Sequence, residues 1–502
     1  IAATDLQIIN PGTGTGNNIN RIIGEGTTGN FNQNIASETV VFVGTQEAIE
    51  SGYSTKDGLT TNSADFKKTA TYTAIGYKFG NDESNPWVIE EDQSYPRLWY
   101  MPENLNSNPN PDPDPDPDPD PVVVPGYNII PYPKSLTPSD GNFVIQNNAK
   151  VIVPFDNLPL KKVATDFIEQ LQQTSGRALQ LLDAATNPQQ DGIIFEVESS
   201  LHKEGYSLSI TPNKVSIKSS TAVGAFYAVQ SMYQLLPAAV YGKVLSAESD
   251  WQMKCCEIND EPKFSYRSMH LDVARHFMPI EVVKQYIDVL SMYKMNHFHW
   301  HLTDDQGWRI EIKKYPKLTE VGAVRSETMI GYTGIYDGKE HKGFYTQEQA
   351  KAIVAYAAER FITVVPEIEM PGHALAALAS YPELSCGLEE KYEVAKSFGV
   401  FKQIFCPKET TFSFLEDVFK ELFDIFPGKL YHVGGDECPT ESWEKCPSCQ
   451  ALIKEKGLAN EIALQGYFIT RMEEFLNQNG KEIIGWDEIL DGGVSPSATI
   501  MS

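Results

Sequence analysis

The sequence is short of positive charge, of cysteine and of long apolar runs, and each shortage excludes something. Lys and Arg number 41 against 67 Asp and Glu, for a formal charge of −26. A phosphate backbone needs a basic surface, so nucleic acid is excluded as a partner, and so is electrostatic docking on anionic lipid. A neutral or cationic ligand such as a sugar remains compatible. No stretch approaches the roughly 18 to 20 consecutive apolar residues of a membrane span. Seven cysteines in 502 residues are too few for a disulfide scaffold, and their number is odd. Cys438, Cys446 and Cys449 form C-x7-C-x2-C. Zinc usually takes four ligands, and with three thiols in sequence proximity the reading is a local disulfide or free thiols bracing a loop. Cys386 and Cys406 flank one loop-like stretch and are read as a second bridge. The chain opens on Ile1, with no signal-peptide pattern before it; a processed or trimmed fragment is expected.

What is present is the composition of folded protein, 41% hydrophobic and 11% aromatic, with a length that predicts two to four domains. Residues 1–103 are rich in Gly, Asn, Thr and Ser and carry short alternating runs at Tyr72–Tyr77 and Trp87–Ile89. They read as a β-rich surface, binding or spacer module. Residues 104–125 form a linker containing P-N-P-D-P-D-P-D-P-D-P-D-P at 109–121. Alternating Pro forms neither helix nor ladder, and the Asp residues repel. In polyproline II form, at ~3.1 Å per residue, this tract spans roughly 40 Å. Residues 126–262 mix helix and strand signals: a hairpin of Tyr206–Ile210 and Val215–Ile217 across Pro212-Asn213-Lys214, then an apolar helix over Ala222–Leu236 halted by Pro237. This is a small α+β domain.

From 263 to 502 strand, loop and helix alternate. Strands are predicted at Met269–Ala274, Asn296–Leu302, Thr363–Ile368, Leu430–Val433, Glu482–Trp486 and Ala498–Met501. Helices are predicted after Pro279, from a Thr346/Gln349 capping box to Arg360, and over Phe414–Phe426. Alternation of this kind means parallel βα units. Polar residues collect at the strand ends: Asp272 and Arg275, Asp304 and Asp305, Glu369 and His373, Asp436 and Glu437, Trp486 to Glu488. A (β/α)8 TIM barrel places its site at the carboxyl ends of many strands, whereas a doubly wound sheet uses one or two. Five occupied ends favour the barrel, and with six strands predicted, its C-terminal strands are expected to be missing from this chain.

Gly434-Gly435-Asp436-Glu437 puts two adjacent carboxylates on a glycine turn at a strand end. Glycoside hydrolysis uses two carboxyls in different environments, although Asp-Glu alone is also an ordinary solvated loop pair. His297, His299 and His301 share one strand face by alternation. They are read either as ligands of a metal-dependent barrel hydrolase or as packing residues of the barrel. His373 follows Glu367 and Glu369 at a strand end. Arg275, three residues after Asp272, grips sugar hydroxyls or forms a plain salt bridge. Trp486 is core or an indole wall for a ligand.

Five segments together carry a resemblance: Leu271-Asp-Val-Ala-Arg275-His, His299-Trp-His-Leu-Thr-Asp304-Asp-Gln-Gly-Trp-Arg309, Pro366-Glu-Ile-Glu-Met-Pro-Gly-His373, His432-Val-Gly-Gly-Asp436-Glu437-Cys and Gly485-Trp486-Asp-Glu. In this order they resemble glycoside hydrolase family 20, the β-N-acetylhexosaminidases. The Glu204-Gly-Tyr-Ser-Leu hairpin and the Gly224-Ala-Phe-Tyr helix are similar to the same family's small α+β domain, so the resemblance covers 126–502 and leaves out 1–103. It implies substrate-assisted, retaining hydrolysis of terminal β-linked GlcNAc or GalNAc, in which the 2-acetamido oxygen is the nucleophile and an oxazolinium ion forms. Glu437 is then the general acid, and Asp436 orients the acetamido N–H. Asp304 and His373 back the acid, Arg275 holds the sugar's 3- and 4-hydroxyls and favours exo action, and Trp486 walls the acetamido pocket. The resemblance requires no metal or cofactor. The partner it implies is an oligosaccharide or glycoconjugate; the linker, the N-terminal module and the substrate class together give the expectation of a secreted, periplasmic or bacterial-surface location, with cell-surface tethering through the N-terminal region. Against these expectations stands a catalytically inactive sugar-binding surface protein.

Overall fold

The computed structural model describes residues 123–502, apart from 188–190, 388–390 and 494–496, together with short strands between Ala2 and Leu98. The linker tract and the Tyr72–Tyr77 run lie outside the described residues. The chain divides into two units, Ile1–Asp120 and Pro121–Ser502. In the first, Ala2–Ala3, Ile35–Ser37 and Leu59–Thr61 form one parallel ladder, and Gln7–Ile9 pairs in parallel with Val41–Val43. Trp87–Val88, inside a predicted run, pairs antiparallel with Arg97–Leu98.

The second unit opens with a sheet and two helices. Its strands are β1 (Ser135–Val144), β2 (Lys150–Val153), β3 (Gln180–Asp183), β4 (Gly192–Val197), β5 (Tyr206–Ile210), β6 (Lys214–Ser219) and β7 (Gln252–Asp260), in the order β3-β2-β4-β6-β5-β7-β1. The hairpin β5–β6 closes as predicted, with Leu208 opposite Ile217. Helix α1 (Leu158–Ser175) is capped by Asn157, whose side chain accepts from the Leu160 N–H, and it ends on Gly176 at φ 70°. Helix α2 (Ala222–Leu235) is capped by Thr221. The helices touch each other and bury their apolar faces, with Phe167, Leu171, Ala225 and Met232, against Val151, Ile193, Leu208 and Ile217 of the sheet.

The remainder is a second sheet of six strands, β8 (Ser268–Asp272), β9 (His297–His301), β10 (Thr363–Glu367), β11 (Leu430–His432), β12 (Glu482–Trp486) and β13 (Thr499–Met501). Each pairs in parallel with the next in chain order. Between them run α3 (Ile280–Met292), α4 (Gln347–Ala358), α5 (Glu409–Phe423), α6 (Pro447–Lys456) and α7 (Glu461–Gln478). All six strands coincide with predicted ones to within a residue or two at their ends, and Glu482–Trp486 does so without change. Strand β8 stops at Asp272 because its Oδ1 accepts from the Ala274 and Arg275 N–H groups and turns the chain. The Thr346/Gln349 capping box is present. Helix α5 starts earlier than predicted, its first turn being the polar Glu409-Thr-Thr, and it ends earlier, ahead of Pro427, which disfavours helix in the residue before it.

Two largely buried ion pairs join the small domain to the second sheet. Arg267 Nη2 lies 2.6 Å from Glu204 Oε2, and Lys294 Nζ lies 2.9 Å from Asp260 Oδ2. Phe226 meets Phe361 edge to face across the same seam, with ring centroids 5.3 Å apart. No helix among the described residues is long and apolar enough to cross a membrane.

Candidate active site

The strand register builds the site. Asp272 pairs with His301, His301 with Glu367, and Glu367 with His432, so their side chains share one level at the carboxyl ends of β8 to β11. Glu367 is fully buried at the centre of this row. Its Oε2 lies 2.8 Å from His299 Nε2 and 3.0 Å from His301 Nδ1, and its Oε1 lies 2.8 Å from His432 Nδ1. The Trp486 indole N–H also donates to Oε1, at 3.1 Å. Burial alone would raise the Glu367 carboxyl, but His301 and His432 hold it well below the ordinary range. His301 shows the converse. Burial opposes its charge, yet Glu367, Asp304 and Glu369 push its pKa well up, so it is an imidazolium. His299, dominated by burial, falls to about 4 and is neutral.

This floor changes the reading of the histidine triplet. His299 and His301 both face Glu367, whereas His297 bonds its neighbour Asn296 at 2.7 Å and stacks on Tyr266. The three do not converge, so the triplet is no three-histidine metal site. Trp486 packs on the rings of His270, His299 and His432 as well as on Glu367.

Above the floor the predicted residues meet. Arg275 Nη2 lies 2.7 Å from Asp304 Oδ2, and its Nη1 lies 3.2 Å from Asp272 Oδ2. His373 Nδ1 lies 3.0 Å from Asp305 Oδ2 and 3.3 Å from Asp304 Oδ1. Its Nε2 lies 3.4 Å from Asp436 Oδ2 and 3.5 Å from Glu437 Oε2. Burial disfavours charge on His373, but carboxylates on both edges raise its pKa far above the usual imidazole value. Asp304 is buried too, and the His301, His373 and Arg275 charges hold it low; Asp305 is pushed up to about 6 by its burial and by Asp304 beside it, against the pull of His373. Glu369, buried and close to Asp436 and Glu367, is raised well above the carboxylate range.

The Asp436–Glu437 pair emerges from the turn after β11. Gly434 has φ 66°, and a Cβ there would lie 1.8 Å from Glu369 Oε2; Gly435 has φ 95°, and a Cβ there would lie 2.2 Å from the Ile489 side chain. Only glycine fits either position. Glu437 itself has φ 43° and His373 φ 48°, both left-handed and strained for their residue types. The two carboxylates end in different surroundings. The Glu437 side chain is half exposed, and Asp436 is mostly covered. Asp436 Oδ1 is buried with no hydrogen-bond partner among the described residues. A groove of about 450 Å³ opens beside Glu437, lined by Pro439, Thr440, Gln465 and Glu488 among others.

Every predicted site residue, Arg275, Asp304, His373, Asp436, Glu437 and Trp486, is therefore within one contiguous network. Sequence reasoning left three members without roles. Asp305 is the nearer partner of His373, although only Asp304 was assigned behind it. Glu367 was named only as a residue preceding His373. Arg309 is buried and donates to the carbonyls of Val273, Ala274, Ala323, Gly343 and Gln306, holding the loop that carries Arg275. Its signal was the preceding Gly307, where a Cβ would lie 2.2 Å from the guanidinium.

Fold and site together define a protein of parallel βα units with an acid–imidazole centre at the strand carboxyl ends. The family "Glycosyl hydrolase family 20, catalytic domain" matches residues 264–502, and "Glycosyl hydrolase family 20, domain 2" matches residues 126–261. A β-hexosaminidase of Porphyromonas gingivalis is 45% identical over 382 residues, which are 75% of this chain and 47% of that protein. One of Vibrio furnissii is 37% identical over 312 residues, 62% of this chain and 50% of that protein. The chain thus spans about half the length of these curated relatives. Among solved structures, the β-N-acetylhexosaminidase of Bacteroides fragilis superposes with a TM-score of 0.61 at 34% identity, over 74% of this chain and 69% of that one. An exo β-N-acetylglucosaminidase of Vibrio harveyi in complex with N-acetylglucosamine gives 0.65 at 33% identity, over 75% of this chain and 57% of that one. The chain belongs to glycosyl hydrolase family 20.

Proposed function

We propose that the protein containing this chain is an exo-acting β-N-acetylhexosaminidase, that its second sheet is six consecutive strands of a (β/α)8 barrel, and that Asp436 and Glu437 carry the reaction. The observation that carries the reading is the asymmetry of the pair. Asp436 presents one buried, unpartnered oxygen, while Glu437 faces the open groove. A buried carboxylate oxygen without a donor is costly, and an amide N–H of the substrate satisfies it. Asp436 thus fixes the 2-acetamido group and balances the positive charge that develops as its carbonyl oxygen attacks the anomeric carbon. Glu437 gives its proton to the departing glycosidic oxygen and then takes one from the water that opens the oxazolinium ring.

The remaining residues support these two. The His373 imidazolium, held by Asp304 and Asp305, supplies fixed positive charge beside both carboxylates. Arg275, braced by Asp272 and Asp304, addresses vicinal hydroxyls of a terminal sugar. Trp486 offers an indole edge over the histidine floor. The similarity to β-hexosaminidases, with the N-acetylglucosamine complex of the Vibrio harveyi enzyme, favours a GlcNAc-terminated glycan as substrate. The Pro-Asp tract and the glycan substrate favour action outside the cytoplasm, at or beyond a bacterial surface.

The intact protein is tested on aryl β-N-acetylglucosaminide and aryl β-glucoside. Cleavage of the first and not the second is expected. Equal cleavage of both refutes substrate assistance, because a glucoside has no acetamide.

A further inference from the structure

The structure changes the account of the cysteines. All seven are free thiols, and the grouping expected from sequence proximity is wrong: Cys438 stands apart, while Cys386 and Cys406 come from an earlier loop to join Cys446 and Cys449. The four sulfurs lie within 4.8 Å of one another. Cys386 Sγ is 3.7 Å and Cys406 Sγ is 3.6 Å from Cys449 Sγ. Three of the four residues are buried, at 2% exposure or less.

We propose that Cys386, Cys406, Cys446 and Cys449 bind a structural zinc ion. Four thiolates around zinc at about 2.3 Å form a tetrahedron whose edge is about 3.8 Å, close to the separations present here and far from the ~2.05 Å of a disulfide. The local structure favours thiolates. Cys446 precedes the first turn of α6 and Cys449 lies within it, so both sit at the positive end of the helix dipole. Lys408 Nζ, bonded to the Ser385 carbonyl at 2.8 Å, adds a cation next to Cys386. These charges offset the excess negative charge of a four-thiolate zinc centre. The C-x2-C pair is a usual zinc-ligand spacing, and four thiolates in a tetrahedron point to zinc or iron.

The four ligands come from two loops that frame the candidate active site. Cys406 is tied to the earlier loop by its N–H to the Leu384 carbonyl, at 2.9 Å, and its neighbour Phe405 donates to the Pro371 carbonyl, two residues before His373, also at 2.9 Å. From the loop after β11, the Trp443 indole N–H donates to the Phe405 carbonyl at 2.9 Å. Zinc at this point fastens the loop carrying His373 to the loop carrying Asp436 and Glu437. It is not placed to touch substrate.

The test is elemental analysis of the full chain, expressed with zinc and freed of loose metal by gel filtration, beside thiol counts under native and denaturing conditions. One zinc per chain is expected. Cys386, Cys406, Cys446 and Cys449 should become open to alkylation when chelator is added to the native chain, whereas Cys255 and Cys256, buried by the fold itself, should wait for denaturation; Cys446→Ser/Cys449→Ser should lose the zinc while Cys438→Ser keeps it. Zinc retained by the double variant overturns the assignment. So does a metal-free chain, whether its four thiols are alkylated freely or its mass shows two disulfides, and so does iron in place of zinc. If the double variant does not fold, the zinc content and thiol shielding of the unmodified chain decide.

Discussion

Replacing Glu367 by Gln removes one oxygen's charge and almost no volume, from a side chain that is completely buried. In the native protein that charge is balanced by the His301 imidazolium at 3.0 Å, has ring nitrogens of His299 and His432 at 2.8 Å, and accepts from the Trp486 indole N–H. Glutamine keeps one acceptor but turns an N–H₂ toward either the His301 imidazolium or the Trp486 N–H, neither of which accepts. Breaking a buried pair by removing one partner costs about 3–5 kcal/mol. For a domain of a few hundred residues, each kcal/mol is worth roughly 2–4 °C in Tm, so E367Q should lower Tm by roughly 6–20 °C at neutral pH. The pH dependence follows from the sign of the shift. Glu367 has a folded pKa well below its ordinary 4.5, so its contribution is present above 4.5 and is lost as pH falls through the folded value. Calorimetry of wild type and E367Q from pH 7 to pH 3 should therefore show the gap narrowing on the acid side. A loss of under about 1 kcal/mol at pH 7, or a gap that widens on acidification, refutes Glu367 as the charged centre of the floor.

Glu437→Gln should cut turnover by about 10²–10⁴-fold on substrates with poorly departing alcohols and much less on activated aryl leaving groups; equal losses on both argue against proton donation. Asp436→Asn should cut kcat by about 10²–10³-fold, with the larger effect on kcat than on KM, because its oxygen is proposed to work on charge that develops during reaction. Gly434→Ala should destabilise the turn by at least about 1–3 kcal/mol and reduce activity with it, since its Cβ would overlap Glu369; a wild-type Tm and rate would show that the turn can relax.

What the sequence made legible was what repeats or stands in a local motif. The six strands of the second sheet each carry apolar residues bounded by polar ends, and all six were predicted. Helix α1 was missed, because Asn157-Leu-Pro and a mixed polar surface dilute its 3.6-residue signal. The site residues stood in short motifs at strand ends, which is why Arg275, Asp304, His373, Asp436, Glu437 and Trp486 could be named before any geometry. Their division of labour could not. That Asp305 lies nearer His373 than Asp304 is a matter of a few tenths of an ångström. The cysteine cluster was illegible for a different reason. Its members are spread over residues 386 to 449, and sequence proximity favoured Cys438, which is not among the four.

The left-handed backbone at His373 and Glu437 bears on how any substitution there is interpreted. Alanine at either position removes a functional side chain and also sits badly at positive φ, so a dead alanine variant mixes lost chemistry with a loop that has let go. Asparagine and aspartate tolerate that conformation better than other non-glycine residues. His373→Asn and Glu437→Asn keep the two loops closer to their native course and isolate the loss of the imidazolium or of the acid. The choice of replacement residue, more than the number of variants made, decides whether a mutational study of this centre measures catalysis or loop geometry.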